Sequence, residues 1–165
     1  MTVSLGLLEK SAEQLPTEAL ISHIIWRYHD THRRELPEII RLAQQAEDAK
    51  VLDGCAPRRL SPILHVIARD LEHHMTEEEQ VLFPLMISSR ALKLGPPIKH
   101  ILDEHKHHEA LLLRLEQLRR DWEAIGQDPT VTELLKKLGK FTTDMREHLN
   151  LESNALFPQF AEKKL

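Results

Sequence analysis

The chain has 165 residues and a formal net charge of −4; 41% of it is apolar and 29% charged, and it carries 11 histidines against one cysteine. A lone cysteine excludes an intrachain disulfide framework, a four-cysteine zinc site and a cysteine-ligated iron–sulfur cluster, and it suits a reducing compartment. No basic run exceeds two residues, no apolar stretch approaches the roughly 18 residues of a membrane span, and no cationic start precedes an apolar core, so nucleic acid, membrane and secretion are not expected and a cytoplasmic location is.

Twenty-eight leucines against five valines and five glycines, with abundant Glu, Gln, Lys and Arg, predict an all-α chain. Residues 1–16, with Leu5, Leu7, Leu8 and Leu15, read as an N-terminal extension that either covers the bundle or supports a dimer, so that the chain is a monomer or a homodimer. The first helix is expected from Thr17, an N-cap after Pro16, to about Asp48, with a kink at Pro37. Cys55 falls in the next connection, Gly54-Cys55-Ala56-Pro57, and reads as an incidental exposed thiol. The second helix opens with Ser61 as N-cap and Pro62 at the first helical position, and runs to about Phe83. The third spans Pro96-Pro97 to Gly126, and the fourth opens on the capping-box pattern Thr130-Val131-Thr132-Glu133 and ends near Phe157-Pro158. Trp26 and Trp122 read as partly buried, and residues 161–165 as a tail. An antiparallel four-helix bundle over residues 17–160 is the simplest closure.

The apolar stripe of the second helix reads Leu64, Ile67, Leu71, His74, Glu78, Leu82, and that of the fourth reads Leu138, Phe141, Met145, His148, Glu152, Leu156. Steps of three and four keep each stripe on one face. Every member of the second stripe lies 74 residues after its counterpart, and H-x-x-x-E-x-x-x-L-F-P occurs twice, at His74 to Pro84 and His148 to Pro158. On the other two helices Ile25, His29, His32, Leu36 and Ile39 correspond to Ile101, His105, His108, Leu112 and Leu115 at an offset of 76. The chain therefore reads as a duplicated helical hairpin, and a pseudo-twofold axis along the bundle brings the four polar sets to one level.

An unpaired ionised glutamate on a buried stripe costs several kcal/mol, and two facing each other cost more, so a buried cation is expected. Residues at i and i+4 point the same way, so His74 with Glu78 and His148 with Glu152 address one region. With His29, His74, His105 and His148 as terminal nitrogen ligands and Glu78 and Glu152 as bridges, each of two ions receives two nitrogens and two oxygens. Imidazole and carboxylate without thiolate suit iron or manganese; incomplete protein coordination favours redox or small-molecule binding, and hence iron. Such a cationic centre suits anionic or electron-rich diatomics.

The segments LISHIIWRYHDTHRRELPE (20 to 38), HMTEEEQVLFP (from His74), EHKHHE (from Glu104) and EHLNLESNALFP (from Glu147) resemble the hemerythrin-like superfamily. The closer resemblance is to its repair-of-iron-centres branch of di-iron proteins, and it covers roughly residues 17 to 160. It implies a hemerythrin-like bundle whose two non-haem iron ions, bridged by oxide or hydroxide when oxidised, are held by His29, His74, Glu78, His105, His148 and Glu152. It also implies a role in nitrosative or oxidative stress, with nitric oxide or oxygen as diatomic ligand and damaged iron–sulfur proteins as partners. Nitric oxide reduction is one version of that role. A di-iron oxygen, redox or iron sensor, or an iron store, is the alternative. Members of this branch carry an N-terminal domain with a vicinal cysteine pair, whereas here 16 residues precede the bundle, so dithiol chemistry is not expected.

His32 and His108, three residues after His29 and His105, are expected beside the site as further ligands, supporting donors or bundle-edge residues. His23, His65, His73, His100 and His107 are expected on solvated or peripheral faces, and Glu77 and Glu79, turned about 100° from Glu78 on a regular helix, in solvent. The L-F-P words are read as packing followed by helix termination.

Overall fold

A computed structural model describes residues 15–54, 56–88, 94–125 and 128–160 of the protein. Cys55, Gly126, most of the N-terminal extension and the tail from residue 161 lie outside the described residues.

Four long helices follow one another. The first consists of α1 (Thr17–Ile24), a π-helical turn at Ile25–His29 and α2 (Asp30–Leu52). The second consists of α3 (Ser61–Glu77), a π turn at Glu78–Leu82 and α4 (Phe83–Ile87). The third is α5 (Gly95–Glu123); the fourth is α6 (Pro129–Leu151), continued by a π turn at Glu152–Leu156 and a 3₁₀ turn at Phe157–Phe160. Among the described residues there is no strand, and no helix is long and apolar enough to cross a membrane.

Cross-links show that neighbouring helices are antiparallel, because partner numbers rise on one helix as they fall on the other. Arg33 and Gln44 of the first helix reach Glu72 and His65 of the second. Asp70 and His74 of the second meet His107 and Glu104 of the third, and His105 and Glu116 of the third meet Ser153 and Arg146 of the fourth. Arg27 and Glu38 close the ring on Asp144 and Lys137 of the fourth. The chain is an all-α antiparallel four-helix bundle, the architecture its repeated register predicts.

Several ends differ from the sequence reading. Thr17 is the first helical residue after Pro16, and its hydroxyl bonds Gln159. The first helix runs through Pro37 without interruption; its change of geometry falls at Ile25–His29 instead. Ser61 is likewise inside its helix, whose end is capped from a distance: the buried Glu47 carboxylate accepts from Leu60 N at 2.6 Å, Ser61 N at 2.7 Å and Ser61 Oγ at 2.6 Å. Pro84 does not stop the second helix, because a proline within the first turn of α4 forfeits no bond that turn requires. The fourth helix is capped by Asp128, whose Oδ1 accepts from Val131 N, rather than by Thr130. Trp122 is fully buried and donates Nε1–H to Arg58 O, whereas Trp26 is 70% exposed.

The bundle interior has two apolar clusters. One holds Leu36, Leu71, Met75, Leu112, Phe141 and Met145 among others; the second holds Ile24, Leu82, Phe83, Ile101, Leu156 and Phe157 among others. On every helix the histidines selected above lie between a residue of one cluster and a residue of the other. The polar groups thus form a layer closed above and below by hydrocarbon, where unpaired charge is costly.

Candidate metal centre

Three of the four helices carry a π turn, and each begins or ends on a histidine or glutamate of the polar layer: His29, Glu78 and Glu152. The inward residues explain why. Ile24, Tyr28, His32 and Leu36 advance by fours, as do His74, Glu78, Leu82 and Met86, and all are buried. Each four-residue step overruns a 3.6-residue turn by about 40°, so a regular helix would swing the later members off the interior. A turn closed by an i to i+5 bond absorbs the excess.

His29, His74, Glu78, His148 and Glu152 have no exposed surface, and His105 is 7% exposed. Their inward atoms form two sets. His29, His148, Glu78 and Glu152 each bring one donor atom within 4.8 Å of the others, and His74, His105, Glu78 and Glu152 do the same. Both glutamates belong to both sets. Glu78 Oε2 lies 3.4 Å from His29 Nε2 and 3.5 Å from His74 Nε2. Glu152 divides its oxygens: Oε1 lies 2.8 Å from His148 Nε2 and 3.7 Å from His29 Nε2, while Oε2 lies 3.1 Å from His105 Nε2 and 3.9 Å from His74 Nε2. The pseudo-twofold that carries 29 to 105 and 74 to 148 exchanges one set with the other.

The outward nitrogens are held separately. His29 Nδ1–H donates to Glu79 Oε1 at 2.7 Å, and His74 Nδ1–H to Glu104 Oε2 at 2.8 Å. His105 Nδ1 lies 2.9 Å from Ser153 Oγ. Such anchoring of one ring nitrogen turns the other inward, the orientation of metal-bound imidazoles. Arg33 donates to Glu79 at 2.8 Å and fixes that carboxylate in turn. Phe83 stacks on His29 and Phe157 on His105, at 5.9 and 5.8 Å between ring centroids, so the repeated L-F-P phenylalanines wall the site.

The donors fit a cation by a test independent of family. Glu78 Oε1 and Oε2, Glu152 Oε2, His74 Nε2 and His105 Nε2 are buried atoms with no hydrogen-bond partner among the described residues. Buried polar groups are nearly always paired, so a cluster of inward-facing orphans calls for an electrophile. Electrostatics agree. Burial opposes charge on His29, yet Glu152, Glu78 and Glu79 hold its pKa up at about 11. On His74 burial is likewise overcome by Glu78, Glu104 and Glu152, which hold it at about 10. Burial and the facing Glu152 push Glu78 up to about 7, while His148, His105 and His29 hold Glu152 well below the usual carboxylate range against its own burial. Protons here partly fill the role of a cation, and an entering ion must displace them.

His32 and His108 are buried one layer away. They lie 5.4 Å from His148 and 4.9 Å from His74 between ring centroids, and neither belongs to a four-donor set. Burial, reinforced by neighbouring histidines, lowers His32 to about 2 and His108 to about 3, so both rings are neutral.

Glu79 is not solvated as the sequence predicts; it is the anchor of His29. Glu104, Ser153 and Tyr28 are also additions to the sequence reading. Their positions were marked by the repeat, since 79 and 153 are 74 apart and 28 and 104 are 76 apart, but their residue types differ between halves. An open groove between the third and fourth helices, with Leu102, Lys106, Asn150 and Ser153 on its walls, reaches His105.

Fold and site together define a helical bundle with a buried imidazole–carboxylate layer able to hold metal cations. The sequence pattern of the hemerythrin HHE cation-binding domain matches residues 20–160. The chain belongs to that family. It is 35% identical over 151 residues to the iron-sulfur cluster repair protein YtfE of Yersinia pseudotuberculosis serotype IB (strain PB1/+), the match covering 89% of this chain and 67% of that protein. With the protein of the same name from Yersinia pestis (strain Pestoides F) it is 36% identical over 148 residues, at the same coverage.

Proposed function

We propose that the chain holds two non-haem iron ions, one between His29 and His148 and one between His74 and His105, both bridged by Glu78 and Glu152. In this reading it serves the repair of iron–sulfur clusters damaged by nitrosative or oxidative stress, in the cytoplasm, with nitric oxide as the diatomic it binds. The observation that carries the reading is the sharing of both buried carboxylates by two otherwise separate histidine pairs. The names of the relatives support the repair role.

Iron bound there would supply redox-active centres with coordination positions left for a small ligand. The chain's own residues do the rest. Glu79, Glu104 and Ser153 orient His29, His74 and His105. Phe83, Phe157 and the two apolar clusters keep bulk water from the layer, and the groove at His105 gives a small molecule an approach from one side. His32 and His108, neutral and adjacent, support the layer without entering it.

The test is anaerobic loading with ferrous iron, metal analysis, and reactivation of a dehydratase whose iron–sulfur cluster has been damaged by nitric oxide. Two irons per chain and faster reactivation are expected. Fewer than one iron per chain would overturn the dinuclear site; two irons with no reactivation would overturn repair and favour a sensor or store. Glu78→Ala and Glu152→Ala should lose iron, whereas His107→Ala, on the surface, should keep it.

A further inference from the structure

Two histidines expected to be bystanders belong to a second constellation. His73 and Glu77 stand one turn apart on the second helix, and His100 and Glu104 one turn apart on the third, so the surface repeats the H-x-x-x-E spacing of the interior. The antiparallel seam brings the two pairs face to face. His73 Nδ1 lies 4.0 Å from Glu77 Oε2 and 4.0 Å from Glu104 Oε1. His100 Nε2 lies 3.7 Å from each of the same two oxygens. Two nitrogens and two oxygens thus alternate around a small ring. His73, Glu77 and Glu104 each bring one donor atom within 4.8 Å of the other two, and His100 stands at the edge of that set. A tetrahedral ion with bonds of about 2.1 Å places its donors about 3.4 Å apart, so the four nitrogen–oxygen edges need to shorten by about 0.3 to 0.6 Å and His100 has to swing in towards His73. His73 and His100, 73% and 58% exposed, are free to make that adjustment. Among the described residues no lysine or arginine pairs with Glu77 or Glu104, so the two carboxylates are not already matched by a fixed cation.

We propose that His73, Glu77, His100 and Glu104 form an outer site for a divalent transition-metal ion of the zinc, cobalt or ferrous type, coupled to the buried layer through Glu104. That carboxylate faces both ways: Oε1 looks into the outer ring while Oε2 accepts from His74 Nδ1 at 2.8 Å. An ion on Oε1 draws electron density and position from the anchor of His74, so filling either site alters the other, and by linkage the effect is reciprocal. The outer site needs no buried iron; only the coupling rests on the buried pair proposed above.

The experiment is equilibrium dialysis of the iron-loaded chain against cobalt(II), with metal analysis of the wild type and of the double variant His73→Ala/His100→Ala. The wild type should hold one more cobalt ion per chain than the variant, with equal iron in both. Equal cobalt in the two proteins overturns the site, whatever the buried layer contains. Glu77→Gln, which keeps both imidazoles, should weaken cobalt binding about tenfold or more, since losing even a group that only supports a ligand costs about 10-fold and Glu77 would touch the ion itself. For the coupling, the rate at which a chelator strips the buried iron should change on adding zinc(II) to the wild type and not to the double variant. An unchanged rate in the zinc-treated wild type overturns it. If the buried layer takes up no iron while the cobalt difference persists, the di-iron reading falls and the outer site stands.

Discussion

The Tyr28 ring lies flat against His148, 5.5 Å between centroids and 8° from parallel, at the position where the pseudo-twofold would put the counterpart of Glu104. His74 is therefore anchored by a carboxylate and His148 by an aromatic face, and His148 Nδ1 is buried with no partner among the described residues. Burial lowers His148 to about 4, with His29 and His74 adding to that effect and Glu152 opposing it, so the ring is neutral and ready to donate a lone pair. Burial also raises Tyr28 to about 12, with Glu147 contributing, so the phenol stays protonated. Tyr28→Phe should keep both the stack and metal content. Tyr28→Ala should cost about 3–5 kcal/mol, the range for deleting a buried aromatic ring, read by urea unfolding. A loss under about 1 kcal/mol would show that the stack is not part of the packed layer.

Glu79 and Ser153 hold symmetry-related histidines by unequal means. Removing the carboxylate in Glu79→Ala should weaken metal binding about 10–100-fold, measured by chelator competition. Ser153→Ala should cost less, because a bond to a neutral hydroxyl is roughly half as strong as one to a charged carboxylate. A larger loss from Ser153→Ala would reverse that ranking.

Glu47 predicts an acid-side loss of stability. Burial alone would raise its pKa, but the bonds from Ser61, Leu60 and Arg59 lower it. The folded value is depressed, so its stabilisation is fully present above the unfolded pKa of about 4.3 and is lost as pH falls through the folded one. Glu47→Gln should be less stable than wild type at pH 7 by about 1–3 kcal/mol, the cost of disturbing a buried charged acceptor. The difference should shrink as the pH is lowered below about 4. Urea midpoints across that range report both effects, and a constant gap would assign the loss to shape alone.

The π turns can be tested by deletion. Gln80 is exposed within the turn at Glu78–Leu82, and removing it takes out the one extra residue that the wider turn accommodates, so the turn can close as regular helix with α4 keeping its face. Leu82, Phe83 and Met86 would stay in the interior, whereas deleting the exposed Arg69 from the regular part of α3 would put the residues on either side about 100° out of register. The thermal midpoint should therefore fall much less on deleting Gln80 than on deleting Arg69, and Gln80→Ala should stay within about 0.5 kcal/mol of wild type. Equal losses from the two deletions would mean that the wider turn does not absorb the extra residue.

Much of the site was legible because polar residues on a buried stripe are expensive, so their recurrence in register marks them without any structure. His29, His74, Glu78, His105, His148 and Glu152 stand out on that ground, and they are the residues the fold gathers. Glu79 reads as solvated because a regular helix turns it about 100° from Glu78, whereas the π turn packs more residues into each revolution and leaves it beside His29. The cap of the second helix was equally hidden, since Glu47 is 13 residues from Leu60 and reaches it only through packing.

The sequence by itself determined the four helices, the duplication and the identity of the six inward donors of the polar layer, because period, punctuation and the cost of burying charge are local or additive properties of the chain. Tertiary structure alone decided the pairing. His29 shares a donor set with His148, across helices one and four, and His74 shares one with His105, across helices two and three, although every helix also packs on its other neighbour. It also decided that Glu104 touches His74 with one oxygen and the outer His73–His100 group with the other. Contacts between residues remote in the chain depend on which helix faces are brought together, and no periodicity within a single helix contains that information.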